Sequence, residues 1–297
     1  MFNGFISINK PPQITAHDCV SKLRKLLKQK KIGHGGTLDP MATGVLPIAV
    51  GNATRLLRFL PDNKAYDAKI RFGLVTNTDD ITGEVISNDP CPHLTLEAIK
   101  KLLPLFLGQI TQRPPAFSAI QVNGKRLYDL ARRGEIADVD IPMRSVEIKE
   151  IQVLNWSEGD YPELDVAISC GSGTYIRAIA RDLGEKLGCG ATLSGLIRTH
   201  SNGFGLDSSL TFDQVEELMR SGNFQVLAAD HGLHFLPMLT LNEDASKRWS
   251  MGQPVTSDQI IDLPKQKFVR TYDYCQNFLG ISELKHNLFQ PMVVLPN

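Results

Sequence analysis

Apolar and polar positions change period along the chain, and those changes mark out its elements. Gly4 to Asn9 alternates at period two and predicts a first strand, closed by the Pro11 and Pro12 break. From Thr15 to Lys31 the period is helical, with Cys19, Val20, Leu23, Leu26 and Leu27 on one face and Gly33 where a C-cap is expected. VLPIAVG, residues 45–51, reads as a short buried strand. Tyr66, Ala68, Ile70, Phe72 and Leu74 alternate again, which puts Tyr66 on one face with four apolar residues. A helix over Leu96 to Leu107 starts at Thr95, with Glu97 in its first turn.

Beyond Arg113 the chain is expected to run extended, turn at Asn123 and Gly124, and continue as a short basic helix. Strands are predicted near Arg144 to Trp156 and Leu164 to Cys170. They are followed by a helix over Thr174 to Leu187, capped by Thr174, an extended stretch around Leu196 to Phe204, and a helix over Phe212 to Met219. From Leu239 onward the pattern becomes short β-rich runs such as KFVRTYD and NFLGI between turn residues. Strands and helices in no strict alternation give an α+β class, a mixed or antiparallel sheet flanked by helices. A boundary near Pro237 divides a large domain, residues 1–236, from a small β-rich domain, residues 237–297.

Composition narrows the class of protein. Its 297 residues are 42% apolar and 22% charged, as in an ordinary globular protein. Basic and acidic residues number 32 each, so net charge argues neither for nor against nucleic acid; distribution says more. Lys22 to Lys31 holds six basic residues and no acidic one, and Lys125, Arg126, Arg132 and Arg133 form a second group diluted by Asp129. Each is either a solvated helix face or a phosphate-contacting patch. Five scattered cysteines without a CxxC make a zinc site or a disulfide framework unexpected and point to a reducing cytosol. No apolar run reaches the roughly 20 residues of a membrane span, and the N-terminus lacks the order of a signal peptide, so a cytoplasmic location is expected.

The candidate chemistry sits in GHGGTLDPMATG, Gly33 to Gly44, where four glycines and a proline surround one carboxylate, Asp39. The pattern is neither a P-loop, which needs a GK[ST] ending, nor the dinucleotide GxGxxG, so a nucleotide phosphate site is disfavoured. Read alone, Asp39 is either a catalytic carboxylate or a turn-former bonded to nearby backbone. A second stretch, SCGSGTYIRAIARDLGEKLG, carries Arg177 in the first turn of a helix and Arg181 one turn later. A cation there is disfavoured by the helix dipole and calls for a compensating anion. Arg177 is then either a surface ion pair or phosphate contact, or an inward partner of Asp39.

GHGGTLDPMATGVL, KAYDA, PPAFSAIQVNGKRLYDLAR, CGSGTYIRAIARDLG and LIRT occur in an order that resembles the TruB family of pseudouridine synthases across essentially the whole chain. The resemblance implies isomerisation of uridine to pseudouridine at position 55 in the T loop of tRNA, acting on a flipped-out base, by a monomer with no cofactor and no metal. It implies Asp39 as the catalytic aspartate, Arg177 as its guanidinium partner, and Tyr66 as the aromatic residue that stacks on the target base. By the same matching, His34 contacts the RNA or helps fill the place of the extruded base, and Leu196 packs beside the pocket. Lys125, Arg126, Arg132 and Arg133, in an insertion of about residues 118–145, are expected on phosphates of the T stem-loop. The Lys22 to Lys31 helix either adds to that surface or is solvated. The C-terminal segment with MGQPV, FVRTYD and FLGI looks like the family's RNA-binding PUA domain. LIRT stands where relatives have LRRT, so a phosphate contact at Ile197 is missing from the pattern. Two other readings are a protein of this fold that binds or folds tRNA without turnover, and a guide-RNA-dependent synthase.

Overall fold

The computed structural model of the chain describes residues 1–122, 124–136, 139–256 and 266–296, so Asn123, half of the expected turn, lies outside the described residues. Two compact units form. One comprises Met1–Pro40, Gly44–Pro61 and Ser201–Asn297, the other Met41–Thr43 and Asp62–His200. In chain order the first segment gives β1 (Gly4–Lys10), α1 (Ala16–Leu26), β2 (Ile32–His34) and β3 (Thr43–Val50). Next come β4 (Lys64–Phe72), β5 (Leu74–Thr76), β6 (Val85–Asn88), α2 (Leu96–Leu102), β7 (Gly108–Gln112), β8 (Gln121–Val122), β9 (Lys125–Arg126) and α3 (Leu127–Arg132). The middle of the chain ends with β10 (Arg144–Ser157), β11 (Glu163–Cys170), α4 (Ile176–Leu187) and β12 (Ala191–Ser201). The last part holds β13 (Phe204–Gly205), α5 (Phe212–Arg220), β14 (Met238–Thr240), α6 (Glu243–Ser250), β15 (Val255–Thr256), β16 (Phe268–Tyr272), β17 (Phe278–Lys285) and β18 (Leu288–Val294).

In the first unit β1 pairs antiparallel with β3 from Gly4 opposite Val50 to Lys10 opposite Gly44, and β2 pairs with the far end of β3. Helix α1 starts at a capping box: the Asp18 N–H donates to Thr15 Oγ1 at 3.0 Å and the Thr15 N–H to Asp18 Oδ2 at 2.9 Å. Its apolar face, Cys19, Val20, Leu23 and Leu27, packs with Ile6, Ile8, Ile48 and Val50. The helix ends sooner than its pattern predicts. Leu27 is the C-cap and Lys28 takes φ +50°, while Gln29 turns inward to exchange hydrogen bonds with the Phe2 backbone. Gly33 is therefore a strand residue of β2 and not a helix cap, because burying Ile32 on β3 outweighs another helical turn.

The C-terminal β-rich part is a five-stranded sheet in the order β14-β16-β17-β18-β15, with β14 parallel to β16 and the remaining pairs antiparallel. It also contains α6, which the β-rich pattern did not predict, started by Asn242 accepting from the Ala245 N–H at 2.9 Å. Trp249 of α6 is fully buried and donates from Nε1 to Ser282 Oγ on β17 at 2.8 Å.

In the second unit the strands run in the order β12-β4-β11-β10-β7. β4 alternates between buried and half-buried positions, which seats Lys64, Tyr66, Ala68, Ile70 and Phe72 on its buried face. α4 begins at Tyr175 without a side-chain cap. Thr174, the expected cap, instead turns its hydroxyl back to the Gly171 carbonyl at 3.0 Å. Its other end is closed by Gly188 in the left-handed region, φ +73°. A small satellite core of Ile120, Leu127, Leu130 and Ile141 carries the insertion.

Candidate active site and RNA surface

Asp39 lies half-buried on the loop between β2 and β3, with Leu38 buried before it. Main-chain contacts hold the loop. The Gly35 N–H donates to the Pro47 carbonyl at 2.8 Å, and a Cβ at Gly35 would meet Pro47 Cβ at a tight 3.3 Å. Gly44, which returns the loop to β3, has φ +103°. Next to the carboxylate, the Pro40 carbonyl accepts from the Gln13 N–H at 2.7 Å and from Lys10 Nζ at 3.2 Å.

Lys10 was not singled out by the sequence. Its side chain is completely buried, and Nζ also donates to the carbonyls of Pro11 and Ile14, each at 2.8 Å. A buried ammonium is tolerated only when its donors are met, and three carbonyls meet them here. It ties the end of β1, the start of α1 and the Asp39 loop to one point. His34, half-buried on β2 opposite Ile48, lies near the start of the same loop, where the Gly36 N–H approaches its Nδ1 at 3.4 Å.

In the second unit α4 presents Arg177 and Arg181 one turn apart to the turn that follows β5. Arg177 is 4% exposed; Nη1 donates to the Thr78 carbonyl at 3.0 Å and Nη2 to the Phe117 carbonyl at 3.2 Å, with Asp80 Oδ2 3.5 Å from Nη1. The anion that the helix dipole called for thus includes Asp80, which sequence reading missed. Asp80 is itself fixed, accepting from Thr78 Oγ1 and from the Thr82 N–H, each at 3.0 Å. Asp79 sits in the left-handed region at φ +61° and accepts from Arg181 Nη1 at 2.8 Å. Burial pushes its carboxyl above the usual range against the pull of Arg181 and Arg177. The motif NTDDIT could have signalled this turn, since Thr and Asp side chains that bond local backbone are its ingredients.

Tyr66 is 6% exposed on β4 opposite Ile168, and Leu196 is 7% exposed on β12. The insertion presents Lys125, Arg126, Arg132 and Arg133 as exposed side chains. Two of them flank one aromatic ring: the Arg126 and Arg132 guanidinium carbons lie 5.8 and 5.6 Å from the Tyr128 centroid. Lys125, Arg126, Tyr128 and Arg133 line an open groove of about 380 Å³. The other basic run is partly engaged within the protein. Lys22 lies 3.2 Å from Glu216 and over the Phe212 ring, and Arg24 donates to the Ile32 carbonyl at 3.1 Å. Ile197 is 42% exposed where the related pattern has arginine. Among the described residues no helix is long and apolar enough to cross a membrane.

Comparison with known proteins places this arrangement. The model of the TruB family pseudouridylate synthase N-terminal domain matches residues 24–176. The tRNA pseudouridylate synthase B C-terminal domain matches 177–229, and the pseudouridine synthase II TruB C-terminal model matches 237–295. The tRNA pseudouridine synthase B of Nostoc sp. is 54% identical over 292 residues, 98% of each chain. The protein of the same name from Trichormus variabilis is 53% identical over 292 residues, again 98% of each. Among solved structures, a chain of an H/ACA RNP bound to a substrate RNA containing 2'-deoxyuridine superposes with a TM-score of 0.74. It is 22% identical and covers 99% of this chain and 85% of its own, a likeness of fold. With family models along its length and half its residues shared with such relatives, the chain belongs to the TruB family of pseudouridylate synthases.

Proposed function

We propose that this chain is a tRNA pseudouridine synthase that isomerises the T-loop uridine at position 55, with Asp39 as the catalytic carboxylate acting on a flipped-out nucleotide. The supporting observation is a half-buried carboxylate on a loop fixed through its neighbour Pro40 by a buried lysine, in a chain whose relatives named tRNA pseudouridine synthase B match it nearly end to end. The reaction breaks the bond from C1′ to N1 and joins C1′ to C5 of the same base. Atoms and electrons balance within the substrate, so the chemistry calls for neither metal nor redox cofactor. Asp39 attacks the base, attacks the sugar or removes a ribose proton, and each role needs it ionised. Arg177 is assigned as the guanidinium that keeps it so, and Tyr66 as the ring that stacks on the target base, an interaction worth about 1–3 kcal/mol. His34 is assigned to contact the RNA or help fill the place of the extruded base, and Leu196 to pack beside the pocket.

The basic residues Lys125, Arg126, Arg132 and Arg133 are assigned to phosphates of the T stem-loop. On this reading residues 1–236 carry catalysis and 237–297 form a PUA-like RNA-binding domain; the protein works as a monomer in the cytoplasm, where its tRNA substrate is found. An unmodified tRNA transcript incubated with the purified protein, without guide RNA, is expected to gain pseudouridine at the T-loop uridine. Absence of product there would overturn the reading.

A further inference from the structure

Lys64 shares the buried face of β4 with Tyr66, two residues along the strand and therefore about 7 Å away. It is 8% exposed, yet its ammonium makes a single hydrogen bond, to Ser172 Oγ at 2.7 Å. The nearest carboxylate, Asp62 Oδ1, lies 3.8 Å away on a side chain that is 66% exposed and free to swing into water. Two of the three N–H donors of Lys64 thus find no acceptor among the described residues. This contrasts with Lys10, whose three donors meet three carbonyls. Burial lowers the pKa of Lys64, and the buried Arg198 guanidinium on neighbouring β12 adds like-charge repulsion against Asp62. A buried, under-bonded ammonium beside a second cation is costly unless an anion joins it.

The turn next to it is built for an anion as well. Ser172 and Gly173 are exposed, Gly173 has φ +82°, and a Cβ there would meet nothing within 4 Å. The N–H groups of Ser172 and Gly173 donate to no acceptor among the described residues, while Thr174 closes the turn onto Gly171. Successive backbone N–H groups in such a turn make an anion-binding concavity.

We infer that Lys64 and Ser172, with the N–H groups of Ser172 and Gly173, seat one phosphodiester of the substrate RNA adjacent to the flipped nucleotide. The inference rests on the assignment of Tyr66 to the target base, since both side chains leave the same buried face of β4 two residues apart. Tyr66 would hold the flipped nucleotide by its ring and Lys64 by its backbone.

The test uses the full-length protein and a T stem-loop RNA, made with its natural backbone or with one uncharged methylphosphonate at each of the two phosphates bracketing the target uridine. Lys64→Met is expected to weaken binding about tenfold and to lower the slope of log affinity against log salt by about one. Its thermal midpoint should be no lower than that of the wild type, because Met fills the volume without a buried charge; a merely structural lysine would give a lower one. Lys64→Arg should retain most of the affinity. One of the two methylphosphonates should weaken the wild type by a similar factor and leave Lys64→Met unaffected. The inference falls if Lys64→Met binds the natural RNA like the wild type, or if both methylphosphonates weaken the variant as much as the wild type. Should the variant fail to fold, the wild type still decides: indifference to both methylphosphonates overturns the seat. Pseudouridine formed normally alongside such indifference would remove this inference alone, whereas no pseudouridine in the natural stem-loop would remove the functional reading.

Discussion

A carboxylate serves this isomerisation only while ionised and held still, and around Asp39 the loop's own backbone is anchored on both sides. Pro40 is clamped by Gln13 and Lys10, and Gly35 by Pro47. Asn has the same shape as Asp and these contacts run through Gly35 and Pro40, so Asp39→Asn should keep them. We expect the variant to bind the T stem-loop within about threefold of wild type and to lose at least about 10³-fold in turnover. Binding measured by filter retention and product mapping in single turnover separate the two, and retention of more than a few per cent of the rate would refute the catalytic role. Asp39 stood out in the sequence because glycines and proline around one acid are a local signal. Lys10 and Asp80 did not, because their partners, the Pro40 carbonyl and Arg177, are 30 and 97 residues away and are read only from the fold.

At the scale of elements, α4 is a mount for two guanidinium groups and the Asp79 to Asp80 turn is their counterpart. Arg177 reaches two carbonyls and Asp80 at once because its guanidinium is a planar fork, and an ammonium cannot span all three. Arg177→Lys should therefore lose one or two charge-assisted hydrogen bonds, each worth about 1.5–3 kcal/mol, and lower kcat by roughly 10 to 100-fold. Steady-state kinetics on a tRNA transcript check this; a kcat within twofold of wild type would show that charge alone suffices at this position. Elements with a clear period, β1, β4 and α4, were legible before the fold was known. β7 was not, because it is an edge strand whose alternate residues face solvent: Gln109 is exposed and Gln112 is buried to bond Tyr175. α6 was hidden by its composition, EDASKRWS, in which Ala and Trp are the only apolar residues.

For the molecule as a whole, the sequence suggested a C-terminal module separable near Pro237, and the packing bears on what separation would do. Ile281 and Val293 of the C-terminal sheet belong to one core with Phe5, Val45, Ala49 and Phe59 from the other end of the chain. Phe268 stacks edge-on against Phe59 at 5.2 Å, and Arg55 donates to the Val294 carbonyl at 2.8 Å. Cutting after Leu236 would strip that cover. Fully burying a large aliphatic side chain contributes about 1.5–3 kcal/mol, so losing Ile281 and Val293, with half-buried Phe268 adding less, costs on the order of 5 kcal/mol before any relaxation. In a chain of this size each kcal/mol shifts Tm by about 2–4 °C. We therefore expect residues 1–236 alone to unfold at least about 10 °C below the full chain and to aggregate on heating, with the loss of RNA binding following from instability as much as from missing contacts. Differential scanning calorimetry of the two proteins decides the matter. A fragment that melts reversibly at the full-length temperature would mean that the shared core contributes little and that the module is an appendage after all.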